Sequence, residues 1–379
     1  MIRVAHVVEA MHQGGAESLV VEHVRRAAPD IASTVVALNR AGPAFAAAVE
    51  AGATGVLLGK GHARLMGLFR LAGELRRHRI DVINGHNPTG ALYATLAGRL
   101  AGVPVIVRTE HSIHYPGRGG RFYAPLERLT TAQVDRVICV CEAARRSHAG
   151  RMPWAREKFV TVLNGVSENP APSRPRAAVR AELGVSEGAP VALTVGSLTP
   201  QKSQDVLLQA MALAVQRQPN AVLLIAGEGH LRSALLAQHA ALGLGERVRF
   251  LGAREDVADL MEACDLMVLS SSREGLPVTL LEAMRAGRAA LATDVGGNAE
   301  AVDDGVTGRV VPVGDAARLG DALAGLLEQP ALLARYGAAG HARWRDKFTA
   351  AGMVRATESV YRDALARRGV KGDTARESA

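Results

Sequence analysis

The sequence predicts an α/β protein made of two doubly wound parallel-sheet domains in tandem, facing a central cleft. Three observations predict it. Short apolar runs alternate with helical patterns along most of the chain, which is the signature of βαβ units. The alternation breaks once, at the Pro/Ser-rich stretch "NGVSENPAPSRPRAAVRAELG", and then restarts. A length of 379 residues is enough for two separate cores.

In the first half, "RVAHVVE", "STVVALN", "TGVLLG", "DVINGHN", "VPVIVRTEH" and "RVICVCE" read as strands. "AESLVVEHVRRAA", "GLFRLAGELRRHR" and "TGALYATLAGRLAG" read as helices between them. After the connector, "PVALTVGSL", "NAVLLIAGEG", "RVRFLGA", "DLMVLSS", "AALATDVGG" and "GRVVPVG" read as strands. The helices there are "SQDVLLQAMALAVQRQ", "HLRSALLAQHAAL", "REDVADLMEAC" and "LPVTLLEAMRAG". The expected domains are residues 1–168 and 169–348, with a helix over 349–370 returning to the first domain and a disordered tail over 371–379. Ligands of such folds bind outside the carboxyl ends of the strands.

Composition narrows the function. Aromatic residues are only 3% of the chain, which argues against stacking platforms for single-stranded nucleic acid. Basic residues are dispersed, so a pI of about 9.8 does not by itself make a nucleic-acid binder. The excess charge is local: residues 1–165 hold 21 Lys and Arg against 12 Asp and Glu, whereas 166–379 hold 24 against 25. An anionic partner is therefore expected for the first domain. Cys139, Cys141 and Cys264 have neither metal-ligand nor disulfide spacing, and strand faces explain the first two. No apolar run is long enough to span a bilayer, and "MIRVAHVVEA" reads as a first strand, so a cytoplasmic location is expected.

The segment 271–287, "SSREGLPVTLLEAMRAG", places Glu274 in a tight loop and Glu282 in the helix that follows. The plain reading is one solvated acid and one acid satisfied by a neighbour; the sharper one is two carboxylates aimed at ligand hydroxyls. Other candidates also fall at strand-to-helix transitions. Gly14 and Gly15 in "HQGGAES" could offer amides to a phosphate, or merely form a turn. Lys202 in "VGSLTPQK" could neutralise a diphosphate, or be a solvated loop lysine.

Taken in order, "GGAE", "TEHS", "LNGV", "VGSLTPQK", "AGEG", "FLGARED", "EGLPVTLLEAM", "VGGNAE" and "DGVTGRVVP" resemble the retaining family-4 glycosyltransferases, whose two Rossmann-like domains form the GT-B architecture. The resemblance covers residues 1–345, and its most specific part is the Glu-x7-Glu signature with the lysine loop. It implies transfer of a sugar from a UDP- or GDP-linked donor to a glycan, lipid-linked or small-molecule acceptor, as in bacterial cell-surface polysaccharide or glycolipid synthesis. It implies further that Glu282 accepts from the ribose hydroxyls, Glu274 meets the transferring sugar, and Lys202 stabilises the departing diphosphate. Gly14 and Gly15 would approach the same diphosphate, and the amides of Gly275 and Leu276 would open a helix and add donors. Gly227, Gly229, Arg254, Asp256 and Val257 would line the nucleotide pocket. His111 would bond a sugar hydroxyl (a strand-end cap is the plain alternative), while His86, Arg118 and Arg121 would meet the acceptor. The family's usual arginine beside the loop glycine is here Ser197, so Lys202 carries the charge alone unless Arg108, Arg118 or Arg121 compensates. No metal or other cofactor is expected, and adjacent Asp303 and Asp304 read as a turn.

Residues 60–79 mix Arg and Lys with Leu, Met and Phe, a pattern suited either to an anionic membrane surface or to an ordinary solvated helix. The first is the expected route to peripheral association with the inner face of the plasma membrane. Two rival readings are a nucleotide-sugar epimerase of the same architecture and a weakened transferase serving as a binding subunit.

Overall fold

The computed structural model describes residues 1–12, 14–59, 64–113, 123–168 and 171–370. Arg118, Arg121 and the expected tail over 371–379 lie outside the described residues, as does Lys60 at the start of the basic segment. The chain divides into two compact units, Met1–Gly165 together with the chain from Ala350 onward, and Val166–Thr349.

The first unit holds strands β1 (Ile2–Met11), β2 (Ile31–Ala41), β3 (Thr54–Leu57), β4 (Val82–His86), β5 (Val105–Glu110), β6 (Arg136–Cys139) and β7 (Phe159–Thr161). They pair in parallel in the order β3-β2-β1-β4-β5-β6-β7. Every residue of β4 and β5 is buried, as expected of a parallel sheet covered on both faces. The sequence reading found six strands here; three-residue β7 is too short to show a period. The helix Ala350–Arg367 belongs to this unit, where Tyr361 Oη accepts a 2.8 Å hydrogen bond from Asn84 on β4.

The second unit holds β8 (Val191–Val195), β9 (Val222–Ala226), β10 (Val248–Gly252), β11 (Leu266–Leu269), β12 (Ala289–Thr293) and β13 (Gly308–Val311). Their order is β10-β9-β8-β11-β12-β13, again parallel. Leu207, Leu208 and Met211 of the helix Gln204–Arg217 and Leu319 and Leu323 of the helix Ala316–Leu327 are fully buried against this sheet. The stretch read as a connector contains a helix, Arg176–Glu182, held by side chains that sequence periodicity does not reveal. Arg180 is buried and donates to Asp265 and to four backbone carbonyls, while Arg176 also bonds Asp265.

In both sheets the order reverses beside the first strand of the unit, between β1 and β4 and between β8 and β11. At such a point the flanking crossovers leave in opposite directions, which opens a crevice at the carboxyl ends of the strands. The candidate residues collect at these two ends.

Candidate active site

In the second unit, β8 leads through Gly196 and Ser197 into a short 3-10 turn, Pro200–Lys202, and β11 leads through Ser270 and Ser271 to Glu274. The two loops are fastened together. Ser270 Oγ donates to the Lys202 carbonyl at 2.9 Å, and the Ser272 amide donates to the Gln201 carbonyl at 2.8 Å. Lys202 Nζ then stands 2.6 Å from Glu274 Oε1, and Ser271 Oγ donates to that same oxygen at 2.6 Å. Glu274 is only 5% exposed, so its charge depends on these two donors. Ser271 gives no sign of this role in the sequence, because a serine two residues past a strand carries no periodic signal.

Glycines let the neighbouring loops approach. Gly227, at φ +147°, follows β9, and a Cβ there would lie 1.9 Å from the Gly196 carbonyl oxygen. A Cβ at Gly229 would lie 2.3 Å from the Leu198 carbonyl oxygen. Gly296, at φ +56°, places the loop after β12 against the backbone of Glu274, where a Cβ would come within 2.2 Å of its carbonyl oxygen. The loops after four successive strands in the sheet are thus laced around Lys202 and Glu274.

One expectation is corrected here. The amides of Gly275 and Leu276 do not open the helix, which runs Val278–Arg285 behind an extended Pro277. Pro277 at φ −66° and ψ 124° holds the chain out of helical geometry until Val278, and the Gly275 carbonyl instead accepts from the Gly297 amide at 2.5 Å.

Glu282 lies on that helix and has a different environment from Glu274. It is partly buried, and its carboxylate has no hydrogen-bond partner among the described residues. Burial pushes its carboxyl up to about 7, against a smaller opposing pull from Arg285. Arg254 and Asp256, expected beside the nucleobase, are paired with each other through bonds of 2.7 and 2.6 Å. Arg254 also reaches Glu182, and Arg174 bonds both Asp256 and Asp259. Their side chains therefore hold Arg174 and the helix Arg176–Glu182 in place, with Val257 opening the helix Val257–Ala263. Ser197 sits at the loop tip, its hydroxyl 3.4 Å from Thr199 Oγ1 and its carbonyl accepting from Gln204.

In the first unit, Gly14 caps the helix Gly15–Arg25 after β1 in extended geometry, with no side-chain cap. His86 ends β4, and His111 follows β5. His86 is 1% exposed and both of its ring nitrogens are occupied, Nε2 by His6 at 3.1 Å and Nδ1 by His111 at 2.9 Å. No nitrogen of His86 is left for an acceptor, so it stands behind His111 rather than beside it as a ligand contact. His111 Nδ1 is buried and without a partner among the described residues. Arg108, the described member of the expected compensating arginines, is 3% exposed and lies 2.9 Å from Glu110.

A family profile described as glycosyl transferases group 1 matches residues 175–343, and one described as glycosyltransferase family 4 matches residues 13–169. The chain is a family-4 glycosyltransferase. D-inositol 3-phosphate glycosyltransferase of Thermobispora bispora is 32% identical to it over 333 residues, covering 80% of this chain and 75% of that protein. The UDP-Gal:alpha-D-GlcNAc-diphosphoundecaprenol alpha-1,3-galactosyltransferase of Escherichia coli is 26% identical over 260 residues, 66% of each chain. The structure of Anabaena HepE in complex with UDP and glucose matches with a TM-score of 0.84, covering 96% of this chain and all of that one at 20% identity. That likeness shows a shared fold, and the glycosyltransferase has the expected GT-B architecture of two Rossmann-like units.

The unpaired carboxyl gives a testable pH dependence. A carboxyl whose folded value lies above its unfolded one takes up a proton on folding in the interval between them. Its contribution is therefore full below about 4.5 and is lost as the pH rises towards 7. Glu282→Gln imitates the neutral acid, so its stability relative to the parent should rise by roughly 1–3 kcal/mol between about pH 5 and pH 8. Thermal unfolding at the two pH values checks this; a difference that does not change with pH would show that Glu282 titrates normally.

Proposed function

We propose that the enzyme is a retaining glycosyltransferase using a UDP- or GDP-linked sugar, with the donor held by the second unit and no metal required. The observation that carries this reading is the contrast within Glu-x7-Glu. Glu274 is paired with Lys202 and Ser271 at the strand reversal, and Glu282 stands unpartnered eight residues on. A partly buried carboxyl without donors suits a ribose diol, whose two hydroxyls would replace lost water and favour the ionised form. Four residues of helix separate Val278 from Glu282, a rise of about 6 Å, which suits the spacing of ribose and transferring sugar across a diphosphate.

Lys202 has three N–H donors, so it can keep Glu274 and still offer a proton to the diphosphate. Glu274 Oε2 then accepts from hydroxyls of the transferring sugar, and His111 is assigned to another of its hydroxyls. The acceptor hydroxyl attacks the anomeric carbon from the face on which the diphosphate departs. As the new C–O bond forms, the bond to the phosphate oxygen breaks and that oxygen takes the acceptor's proton. Catalysis comes from positioning and from the Lys202 charge beside the leaving group.

The donor class is supported by the UDP and glucose bound to Anabaena HepE and by the UDP-Gal named for the Escherichia coli relative. That relative's diphosphoundecaprenol acceptor supports a lipid-linked acceptor and a role in surface glycan synthesis. A lipid acceptor also fits the helix Arg64–Arg77. Leu65, Met66 and Phe69 are 74%, 57% and 62% exposed on it, beside exposed Arg70 and Arg77. Among the described residues no helix is long and apolar enough to cross a membrane, so the proposed association is a surface one.

Two experiments test the reading. Incubation with a panel of UDP- and GDP-sugars and lipid-linked acceptors should release nucleotide diphosphate only with acceptor, and NMR of the product should show the donor's anomeric configuration. Conversion of the donor without acceptor would point to an epimerase, and an inverted product would refute retention. In the same assay Ser197→Arg should lower the donor KM about 10-fold by adding a charge-assisted bond to the diphosphate. For the membrane, the protein should co-sediment with vesicles containing anionic lipid and not with neutral ones. Leu65→Asp combined with Phe69→Asp should abolish that binding, and unchanged co-sedimentation of the double variant would remove the helix from the account.

A further inference from the structure

His6, His86 and His111 come from three segments and meet because of sheet register. His6 on β1 pairs with Asn84 on β4, and His86 on β4 pairs with Thr109 on β5. In each case the next histidine lies two residues further along, on the same face of the sheet. The rings therefore climb diagonally from the middle of β1 to the carboxyl end of β4 and just past the end of β5. Neighbouring rings stack at an interplanar angle of 29°, with centroids 5.3 and 5.2 Å apart, and are joined nitrogen to nitrogen at 3.1 and 2.9 Å. His23 of the helix Gly15–Arg25 stacks on the far side of His6 at 5.4 Å, with no hydrogen bond between the two rings.

A neutral imidazole has one N–H donor and one bare nitrogen. In a chain of three such rings the sense of one bond dictates the other. Either His6 donates to His86, His86 donates to His111 and the proton of His111 sits on Nδ1, or all three are reversed and Nδ1 is bare. A charged ring would donate from both nitrogens and break this single sense. Burial keeps the rings neutral, lowering His6 to about 3, His111 to about 4 and His86 well below its usual value, with repulsion between the imidazoles adding to the effect. The groups facing the ladder do not counter this. His23 is itself lowered to about 4. From the helix Ala350–Arg367, Tyr361 is bonded to Asn84 and Glu358 accepts from the Ala28 amide. Among the described residues no carboxylate bonds any of the three rings.

We propose that His6 and His86 are positioning residues for His111: as a one-directional ladder of imidazoles they hold its ring in a single tautomer and so set whether its buried Nδ1 carries the proton. The buried, unpartnered Nδ1 is the end of the ladder that a ligand hydroxyl would meet. That role rests on the placement of His111 beside the transferring sugar, whereas the ladder itself does not. His6 and His86 would then tune a hydrogen bond to substrate that neither of them makes, as outer partners of a ligating histidine do.

The test is long-range proton–nitrogen NMR of the unliganded full chain, so its failure is distinguishable from failure of the proposed function. In the parent protein His86 and His111 should each show the pattern of one neutral tautomer, unchanged between about pH 5 and pH 8. His6→Phe, which keeps a ring but removes the hydrogen bond, should shift the nitrogen signals of both His86 and His111, the second without being in contact with position 6. His23→Phe, which touches only the stack, should leave both unchanged. Averaged tautomers or titration near 6.5 in the parent would overturn the proposal without need of any variant. So would an unchanged His111 in His6→Phe, or an equal shift in His23→Phe.

Discussion

The loops at the carboxyl end of the second sheet depend on one ion pair. Lys202 and Glu274 arrive on loops from strands that flank the reversal of the second sheet, and they meet at 2.6 Å with Ser271 on the same carboxylate oxygen. Losing one partner of a buried pair typically costs about 3–5 kcal/mol, because the other charge is left without water or counter-charge. The pair therefore ties the two loops together as well as holding charge ready for a ligand. The nearby glycines follow from this. Gly227, Gly229 and Gly296 occupy positions where any side chain would collide with the backbone of Gly196, Leu198 or Glu274, and so push the loops carrying the pair apart.

The two glutamates of the signature divide the work through their surroundings. Glu274 is held by an ammonium and a hydroxyl, and in the proposed function it would offer a sugar an oriented acceptor. Glu282 has no donor and is pushed up to about 7, so it ionises readily only when something supplies hydrogen bonds. In the proposed function, binding of a nucleotide diol and ionisation of Glu282 would be linked, and neither glutamate would act as a nucleophile or general base.

Much of this was legible in the sequence. The alternation of apolar strands and amphipathic helices gave both sheets, with Lys202 and Glu274 in the loops after strands and Glu282 on the helix that follows. What remained hidden depends on long-range register. Nothing local says that Ser271 bonds Glu274, or that His6 lies two positions below the level of His86. The helix Arg176–Glu182 hides inside the Pro/Ser-rich connector because Arg176 and the buried Arg180, not an apolar stripe, anchor it. His86 looked like a ligand residue from its place at the end of β4, yet both nitrogens are consumed by neighbours from other strands. The opening of the helix was misplaced because Pro277 delays it by an extended step. Arg254 and Asp256 were read as nucleotide contacts, whereas the fold uses their charges on each other and on the helix before them.

Calorimetric titration with the free nucleotide diphosphate and with its sugar conjugate, on the parent, Glu274→Ala and Glu282→Ala, tests the division between the two glutamates most directly. The account predicts that Glu282→Ala weakens both ligands about equally, while Glu274→Ala weakens only the sugar conjugate. Equal losses for free nucleotide in the two variants, or no binding of either UDP or GDP by the parent, would contradict it.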